Sequence, residues 1–593
     1  MRKAIPCWGA ALLAGVTVLV SADHAWACGG FFCDSPGAGT PPMPVDQTGE
    51  TIVFAFDGEF VEAHIQISYT GDPQRFAWLI PLQTEPEVTV GSAQLFVNLL
   101  NATVPTVTTM TSFDSCFGSS GDSGGFNCAG GSDDEAAPTA GGFSGPGRGV
   151  GGQGTVPPLE QIKKSVGAFE VTILKGSSDA IESWLVDNNF LPDAEAPAIV
   201  DEYASRGYVF AAISLHAGAG LDELHPLVVR YRGTEPCIPL KLTAIAAREN
   251  MAVRAFFLGQ QRTVPIGEYR HVTLNQARID WVGLGQNYTA AVSQAVDSPG
   301  ADGHAFVTEY AGTSAVVDRS IGQPLWNAAR FVTLRADQVV PELVAQGLLN
   351  CAGASVCEAL HPLIFPLLRN YLPPPAGVGE NEYWACVACR TDPNQPPPFD
   401  GAGFAHDFEE RIVRPAQHAV DLLTRSSYVT RLFTAISPAE MTADPEFAEL
   451  PPNHGLGDVS QSLSATDRTT CDGKNVVATS DGREAAHASG APPVFSNAMP
   501  WAERVDEFTP EGTRIQVVDN GPAIDRELAA HNRALGYDPG SPERARLAET
   551  NDGACACQVR AASGHGAAFA LLALFAALRR RASRKALMHR ART

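Results

Sequence analysis

The sequence predicts an α+β fold that combines mixed and antiparallel sheets with helices. Strand-like segments dominate the first half without a regular strand–helix alternation, and the C-terminal half is more helical. Of the 593 residues, 45% are hydrophobic and 18% are charged, which suits a packed core and excludes wholesale disorder. A doubly wound parallel sheet is not expected, because its strands and helices would alternate along the chain.

Residues 28–111 are predicted to form a β-rich N-terminal part. Thr51–Phe56 and Val61–Tyr69 are rich in strand-forming residues, and Asp57-Gly58 between them is a hairpin signal. Further strands are expected at Phe76–Ile80, Leu95–Leu100 and Thr103–Thr111.

Residues 112–158 are predicted to be a flexible Gly/Ser-rich insertion, because they contain almost no large aliphatic side chains. Residues 159–320 then form the α+β part. Its expected strands are Phe169–Leu174, Tyr208–Leu215, Leu227–Tyr231, Leu240–Ala246, Ala252–Leu258 and His304–Tyr310, and its helices are Ser178–Asn188 and Ala194–Arg206.

Residues 321–535 are predicted to be the more helical C-terminal part, and residues 536–563 a spacer that contains a Cys-x-Cys motif. Cys471–Pro500 has a loop-like composition. The expected helices are Ala336–Leu349, Glu358–Tyr371, Phe404–Arg414, Ala416–Arg425 and Ile524–Leu535, and the strands are Tyr428–Ala435 and Arg514–Val518.

Charge is distributed unevenly, with two basic ends and an acidic body. Between Cys28 and Leu578 there are 33 basic and 64 acidic residues, a net charge of −31, whereas the whole chain carries −23. Such a body repels phosphate backbones, so a nucleic-acid partner is excluded.

Residues 1–27 have the pattern of a secretory signal peptide. Arg2 and Lys3 are followed by the apolar run Trp8–Val20 and the small-residue exit Ala25-Trp26-Ala27. Cleavage is expected between Ala27 and Cys28. Lipid attachment at Cys28 is the less favoured alternative to a disulfide, because Ala25 stands where a lipid-attachment box has leucine.

The C-terminus, residues 564–593, has the pattern of a membrane-directed tail. Cys555 and Cys557 precede the apolar run Gly566–Leu578, and an arginine cluster begins at Arg579. Thirteen residues span about 20 Å as a helix, which is short of the hydrocarbon core. The arrangement resembles the myxobacterial C-terminal sorting tail, and the alternatives are a stable membrane helix or a buried helix. The resemblance implies processing near Cys555 or Cys557 and display at the cell surface.

Cysteine usage indicates an oxidising compartment. Twelve cysteines follow the signal segment, an even number that is typical of disulfide-bonded exported proteins. Cys386 and Cys389 could instead bind zinc, although a second pair at suitable spacing is missing. Cys237 and Cys471 are left for a long-range pair. The sequence-local candidate pairs are Cys28/Cys33, Cys116/Cys128, Cys351/Cys357 and Cys386/Cys389.

Short motifs do not assemble a catalytic, cofactor or metal site, and none is predicted. Ser123 lies in a protease-like Gly-Asp-Ser-Gly-Gly segment, but no strand precedes it and no helix follows. Gly147–Gly152 fits a dinucleotide pattern and is interpreted as linker. His406 and Glu410 are expected on a solvated helical face, and His304 and Glu309 on opposite faces of a strand.

Several stretches resemble an uncharacterised family of secreted bacterial proteins, domain of unknown function 2330. The N-terminal motif Ala27–Cys33 is the most specific of them. The family implies export and supplies no catalytic residues. The other stretches are Gln47–Ala55 with Val61–Ile67, Phe76–Pro81, Gly303–Tyr310 and Arg431–Phe447.

The sequence therefore predicts an exported protein displayed on the outer envelope of a Gram-negative bacterium, with a non-catalytic binding or envelope role and no cofactor. The alternative is a surface-tethered hydrolase whose site short motifs do not reveal. The expected partners are the export and tail-processing machinery and, through the short C-terminal segment, the membrane.

Overall fold

The computed structural model describes residues 30–34, 46–70, 76–114, 159–188, 190–191, 196–216, 223–233, 236–352, 356–391 and 397–539. The chain divides into two compact units, one comprising Met1–Ser112 with Glu135–Gly536 and the other Phe113–Asp134 with Tyr537–Thr593. The description below concerns the first unit. The predicted signal segment, most of the 112–158 insertion and the C-terminal tail lie outside the described residues.

The described part is α+β, as predicted. Its strands are β1 (Gly30–Asp34), β2 (Asp46–Asp57), β3 (Phe60–Thr70), β4 (Phe76–Leu82), β5 (Glu87–Val90), β6 (Thr106–Phe113), β7 (Glu160–Val166), β8 (Phe169–Lys175), β9 (Phe190–Leu191), β10 (Val209–Leu215), β11 (Leu227–Arg232), β12 (Ala247–Gly259), β13 (Thr263–Ile266), β14 (Arg270–Leu274), β15 (Ala305–Thr313), β16 (Leu349–Ala352), β17 (Val356–Ala359), β18 (Tyr428–Ile436), β19 (Glu446–Glu449), β20 (Ser462–Thr469), β21 (Asn475–Thr479), β22 (Glu484–His487), β23 (Ala502–Phe508) and β24 (Arg514–Asp519).

The α-helices are α1 (Ala93–Thr103), α2 (Ser178–Asp187), α3 (Ala196–Ser205), α4 (Leu240–Thr243), α5 (Tyr288–Val296), α6 (Ala336–Ala345), α7 (Ile364–Tyr371), α8 (Glu380–Ala385), α9 (Gly401–Phe408), α10 (Arg414–Arg425) and α11 (Gly521–Ala534). A π-helical turn, Glu409–Val413, joins α9 to α10.

A ten-stranded mixed sheet organises the unit, in the order β24-β23-β14-β15-β18-β12-β2-β3-β11-β5. Neighbouring strands of this sheet are antiparallel, except for the parallel pairs β12 with β2 and β14 with β15. The predicted parts 28–111, 159–320 and 321–535 all contribute strands to it. The sheet therefore forms only when distant segments of the chain meet.

A six-stranded antiparallel sheet, in the order β7-β8-β10-β4-β1-β9, packs on one face of the larger sheet. Ile52 and Phe54 of β2 enter the core between the two sheets, whereas Val53 and Ala55 point to the opposite face and pack against α1 and α10. Because β2 is buried on both faces, its sequence is a continuous apolar run rather than an alternating one. Helices α2 and α3 cover the outer face of the six-stranded sheet.

A separate helical core packs between residues 328 and 413 and includes α6, α7, α8 and α9. Cys351 and Cys357 are disulfide-bonded across the β16–β17 hairpin, and Cys386 and Cys389 are bonded to each other after α8. Cys386 and Cys389 are therefore bonded to each other and are not available as thiolate ligands for zinc. The expected long-range pair is not formed, since the buried Cys237 thiol donates to the Ile238 carbonyl oxygen at 3.6 Å.

Three element predictions are wrong. Leu95–Leu100 lies in α1, where the Ser92 hydroxyl accepts from the Leu95 N–H (3.4 Å) and caps the helix. Leu240–Ala246 contains α4 instead of a strand, because the Asp444 carboxylate accepts from the Lys241 N–H (3.0 Å) in its first turn. Cys471–Pro500 contains β21 and β22. Its glycines, which indicated loop, form tight turns at Gly473 (φ +76°) and Gly482 (φ +86°).

One buried histidine connects the two large sheets. His225, just before β11 of the ten-stranded sheet, accepts from the N–H of Ala168 in the β7–β8 turn of the six-stranded sheet (Nε2, 3.0 Å). Its Nδ1 lies 2.9 Å from the Pro226 carbonyl oxygen and therefore carries the ring proton. Burial lowers the pKa of His225 to about 4, because it disfavours the charged ring. Protonation would also remove the acceptor on Nε2.

We expect Gly167→Ala to destabilise the protein much more than Gly58→Ala. Both glycines have positive φ (+58° and +62°), so each alanine costs about 1–2 kcal/mol of backbone strain. A Cβ at Gly167 would also lie 2.0 Å from His225 Nε2, whereas nothing lies within 4 Å at Gly58. Urea unfolding should show at least about 1 kcal/mol of additional loss for Gly167→Ala. Equal losses would contradict the contact.

The stability of the protein should fall as the pH drops from about 6.5 to 4. The folded pKa of His225 is lowered to about 4, so the unfolded chain binds the extra proton first and unfolding becomes easier in acid. The contribution is up to about 3 kcal/mol. His225→Gln should make this slope shallower without removing it, because burial also lowers the pKa values of His361 (to about 4) and His271 (to about 3). Urea titrations at several pH values measure the slope, and the exposed His406→Gln variant should keep it.

Candidate functional site

Strand β3 and helix α10 bring three metal-ligating side chains together. Glu62 and His64 are two residues apart on β3 and so point to the same face of the sheet. This is the face that α1 and α10 cover, as shown by the packing of their neighbours Val53 and Ala55. His418, in the second turn of α10, reaches the same point from above the sheet.

Both imidazoles meet one carboxylate oxygen. His64 Nε2 lies 2.6 Å from Glu62 Oε1, and His418 Nε2 is hydrogen-bonded to the same oxygen. The two rings are stacked, with centroids 5.8 Å apart and planes 12° from parallel. The two ring nitrogens and the carboxylate oxygen all lie within 4.8 Å of one another.

The site is buried at its base and open at its rim. The side chains of Glu62 and His64 are 3% and 1% exposed, whereas that of His418 is 42% exposed. Burial alone would raise the pKa of the Glu62 carboxyl, but hydrogen bonds from His418 and His64 and the charge on those rings outweigh it. The pKa of Glu62 therefore lies well below its usual range, and the group is a carboxylate at neutral pH.

One arginine lies on the other side of Glu62, and a second arginine contacts the neighbouring Asp57. Arg425 Nη2 lies 4.0 Å from Glu62 Oε2, and Arg425 Nη1 lies 3.8 Å from Asp57 Oδ2. Arg230 Nη2 is 3.4 Å from that same Asp57 oxygen. Glu62 Oε1 is thus directed to the histidines, and its second oxygen faces a cation.

Two histidines and one glutamate form a donor set that zinc uses in proteins, with a fourth position left to water. Because the His418 side chain is 42% exposed, water can reach the site from that side. An uncharged imidazole offers one ring lone pair, so metal at both Nε2 atoms would move each ring proton to Nδ1. His64 Nδ1 is buried and has no hydrogen-bond partner among the described groups. A missing outer acceptor weakens metal binding by about 10–100-fold, so moderate affinity is expected.

The sequence motifs do not contribute to this site. His304 Nε2 hydrogen-bonds to Thr442 Oγ1 (2.9 Å), whereas Glu309 pairs with Arg431 (2.5 Å), so the two have separate partners. His406 is exposed, and Glu410 pairs with Arg414 one turn later (2.7 Å).

The remaining predicted residues mostly lie outside the part of the chain that the structure describes. These are the cleavage residues Ala27 and Cys28, the tail residues Cys555 and Cys557, Cys116, Cys128, Ser123 and Gly147–Gly152, and Cys33 is placed only as part of β1.

Sequence reasoning missed Glu62, His64 and His418. The available signal was Glu-x-His within a predicted strand, since that spacing puts both side chains on one face. His418 is 356 residues away from Glu62 along the chain, and only the fold brings them together.

Residues 23–346 match the model of the family described as "uncharacterized protein conserved in bacteria" (DUF2330). The match covers more than half of the chain, so the chain belongs to this family. This confirms the family resemblance, whereas the stretch Arg431–Phe447 lies beyond the matched residues. Glu62 and His64 lie within the matched region and His418 lies beyond it. No curated protein and no solved structure matches the chain.

Proposed function

We propose that this DUF2330 protein is exported, is displayed at the bacterial cell surface and binds a divalent transition-metal ion of zinc type there. The observation that carries the metal proposal is the convergence of His64 and His418 on one oxygen of Glu62. Binding, rather than catalysis, is the proposed role.

Export is supported by the two ends and by the cysteines. The signal-like pattern of residues 1–27 leads into an acidic body with a net charge of −31, and the C-terminal pattern resembles a myxobacterial sorting tail. Disulfides such as Cys351–Cys357 and Cys386–Cys389 persist in oxidising compartments and are rare in the cytosol. Within the described residues no helix is long and apolar enough to cross a membrane, and Gly566–Leu578 lies outside them.

A surface-tethered hydrolase is the second candidate, and the open side at His418 favours it, because zinc hydrolases keep one position for a reactive water. Such an enzyme also needs a base beside that water. The neighbouring carboxylate, Asp57, is held by Arg230 and Arg425 and is not directed to the histidines. This arrangement favours binding over hydrolysis.

The metal proposal predicts that one Zn²⁺ binds per chain and that His418→Ala weakens this binding at least tenfold. His418 is 42% exposed, so its replacement should leave the fold intact. Calorimetric titration of metal-free protein with Zn²⁺ measures the affinity, and Co²⁺ absorption reports the coordination. His406→Ala, an exposed histidine on α9, is the control.

Unchanged zinc affinity in His418→Ala would overturn the metal site, and the trio would then be a buried hydrogen-bond network. Turnover of an activated ester that depends on both zinc and His418 would instead establish the hydrolase.

The localisation proposal predicts that replacing both Cys555 and Cys557 with alanine abolishes tail processing and surface display. The measurement is cell fractionation combined with the mass of the exported chain. Ser583→Ala, a small change inside the tail, should behave as the wild type. Unchanged display of the double-cysteine variant would refute the sorting tail without bearing on metal binding.

A further inference from the structure

A second polar site lies in the other half of the ten-stranded sheet. A cleft of about 370 Å³ opens between β14, β15, β23 and β24 and the segment that contains Gly457 and Leu463. This volume is within the range of small-molecule pockets. Glu62, His64 and His418 do not line it.

The cleft contains a buried arginine that no carboxylate of the described residues contacts directly. The Arg262 side chain is 5% exposed, and it donates to two neutral oxygens, the Gly457 carbonyl (Nη1, 3.0 Å) and the Thr308 hydroxyl (Nη2, 3.1 Å). Its Nε has no hydrogen-bond acceptor in the described part of the chain. The nearby Asp458 accepts from the Tyr428 hydroxyl (2.8 Å), and its charge acts on Arg262 through space without a direct contact. Burying a charge without a contacting counter-ion is unfavourable, and an anion in the cleft would reduce that cost.

Two further guanidinium groups face the same space. Arg504 Nε and Arg514 Nη2 both contact one oxygen of Asp506, at 2.8 and 3.0 Å. One carboxylate thus balances two cations, and both arginines are about one third exposed (35% and 32%). The lining carries three arginines, Arg262, Arg504 and Arg514, and three carboxylates, Glu309, Asp458 and Asp506, of which Glu309 is paired with Arg431 outside the lining.

The positive charge of the arginines also affects the protonation of the neighbouring His271. Its Nε2 lies 2.8 Å from the Thr308 hydroxyl. Burial, followed by the positive charges of Arg262, Arg504 and Arg514, lowers the pKa of His271 to about 3, so the ring is neutral. Thr308 accepts from Arg262, which leaves its hydroxyl proton for the histidine nitrogen.

The carboxylate Glu309 also lines the cleft, but its charge is already matched. It pairs with Arg431 at 2.5 Å and also interacts with Arg254. Glu309 is therefore not the counter-ion of Arg262.

The rest of the lining is mixed, with polar side chains such as Thr273, Gln276 and Gln461 and one apolar side. Leu274, Ile279, Val459 and Leu463 form a hydrophobic wall of the same cleft. A ligand that fills the space therefore needs an anionic head and an apolar body. Inorganic phosphate would satisfy the arginines but would leave this wall in contact with water.

We propose that the cleft binds a small amphipathic organic acid, with its carboxylate on Arg262 and Arg514 and its apolar body against Leu274 and Leu463. This site is independent of the metal site and goes beyond the function proposed above.

The test is calorimetric titration of the purified full-length chain with octanoate. We expect saturable binding of one octanoate per chain, no binding of the neutral octanamide, and at least tenfold weaker binding of octanoate by Arg262→Gln. Arg335→Gln is the matched control, because Arg335 is exposed and pairs with Asp337 outside the cleft. Equal affinity for octanoate in Arg262→Gln, or equal affinity of the wild type for inorganic phosphate and octanoate, would overturn the proposal.

The melting temperature separates ligand binding from a structural role of Arg262. Without ligand, Arg262→Gln should melt close to the wild type, because removing a buried charge that lacks a contacting counter-ion offsets the loss of the two hydrogen bonds to Gly457 and Thr308. If this variant does not fold, Arg514→Gln tests the proposal instead, since Arg514 lies at the rim of the cleft and its replacement should leave the fold intact. It should bind octanoate at least threefold more weakly, and unchanged affinity would overturn the proposal.

Discussion

The β2–β3 hairpin is buried on both of its faces, and this burial sets the positions of the elements around it. Ile52 and Phe54 belong to the core between the two sheets, and Val53 and Ala55 to the core beneath α1 and α10. A shift of one residue in the β2 register would exchange these faces. The hairpin therefore positions the six-stranded sheet, the covering helices and the two ligands that β3 carries.

Each of the two candidate sites buries a charged side chain, but the two charges differ in sign and in how they are stabilised. At Glu62 a buried anion is stabilised by two imidazoles and an arginine, and protons occupy positions that a metal ion could take. At Arg262 a buried cation donates directly only to neutral oxygens, and the proposed ligand would add a contacting negative charge from outside the chain. Both sites use the rigid ten-stranded sheet as their base, which fixes their polar groups before any ligand arrives.

Local signals in the sequence predicted much of the fold. The Asp57-Gly58 hairpin, the helices α2, α3 and α10, and the strands β8, β15 and β18 follow from turn residues and periodicity. Leu95–Leu100 failed because short apolar runs suit either a strand or a helix, and the Ser92 cap decides between them. Neither site was predictable as a whole: the Glu62-x-His64 spacing was a local signal, but His418 joins that pair, and Arg514 joins Arg262 in one cleft, only through the fold.

The π-helical turn Glu409–Val413 gives helix α10 a defined rotation relative to α9. Each residue of a helix turns it by about 100°, so the number of residues in this turn decides which side of α10 faces the sheet. His418 and the apolar residues Ala419, Leu422 and Leu423 share that rotation. Surface loops generally tolerate insertions, but a single insertion or deletion in this turn would separate the histidine from Glu62 and expose the apolar face of the helix. The length of this five-residue turn is therefore a tighter requirement than its composition.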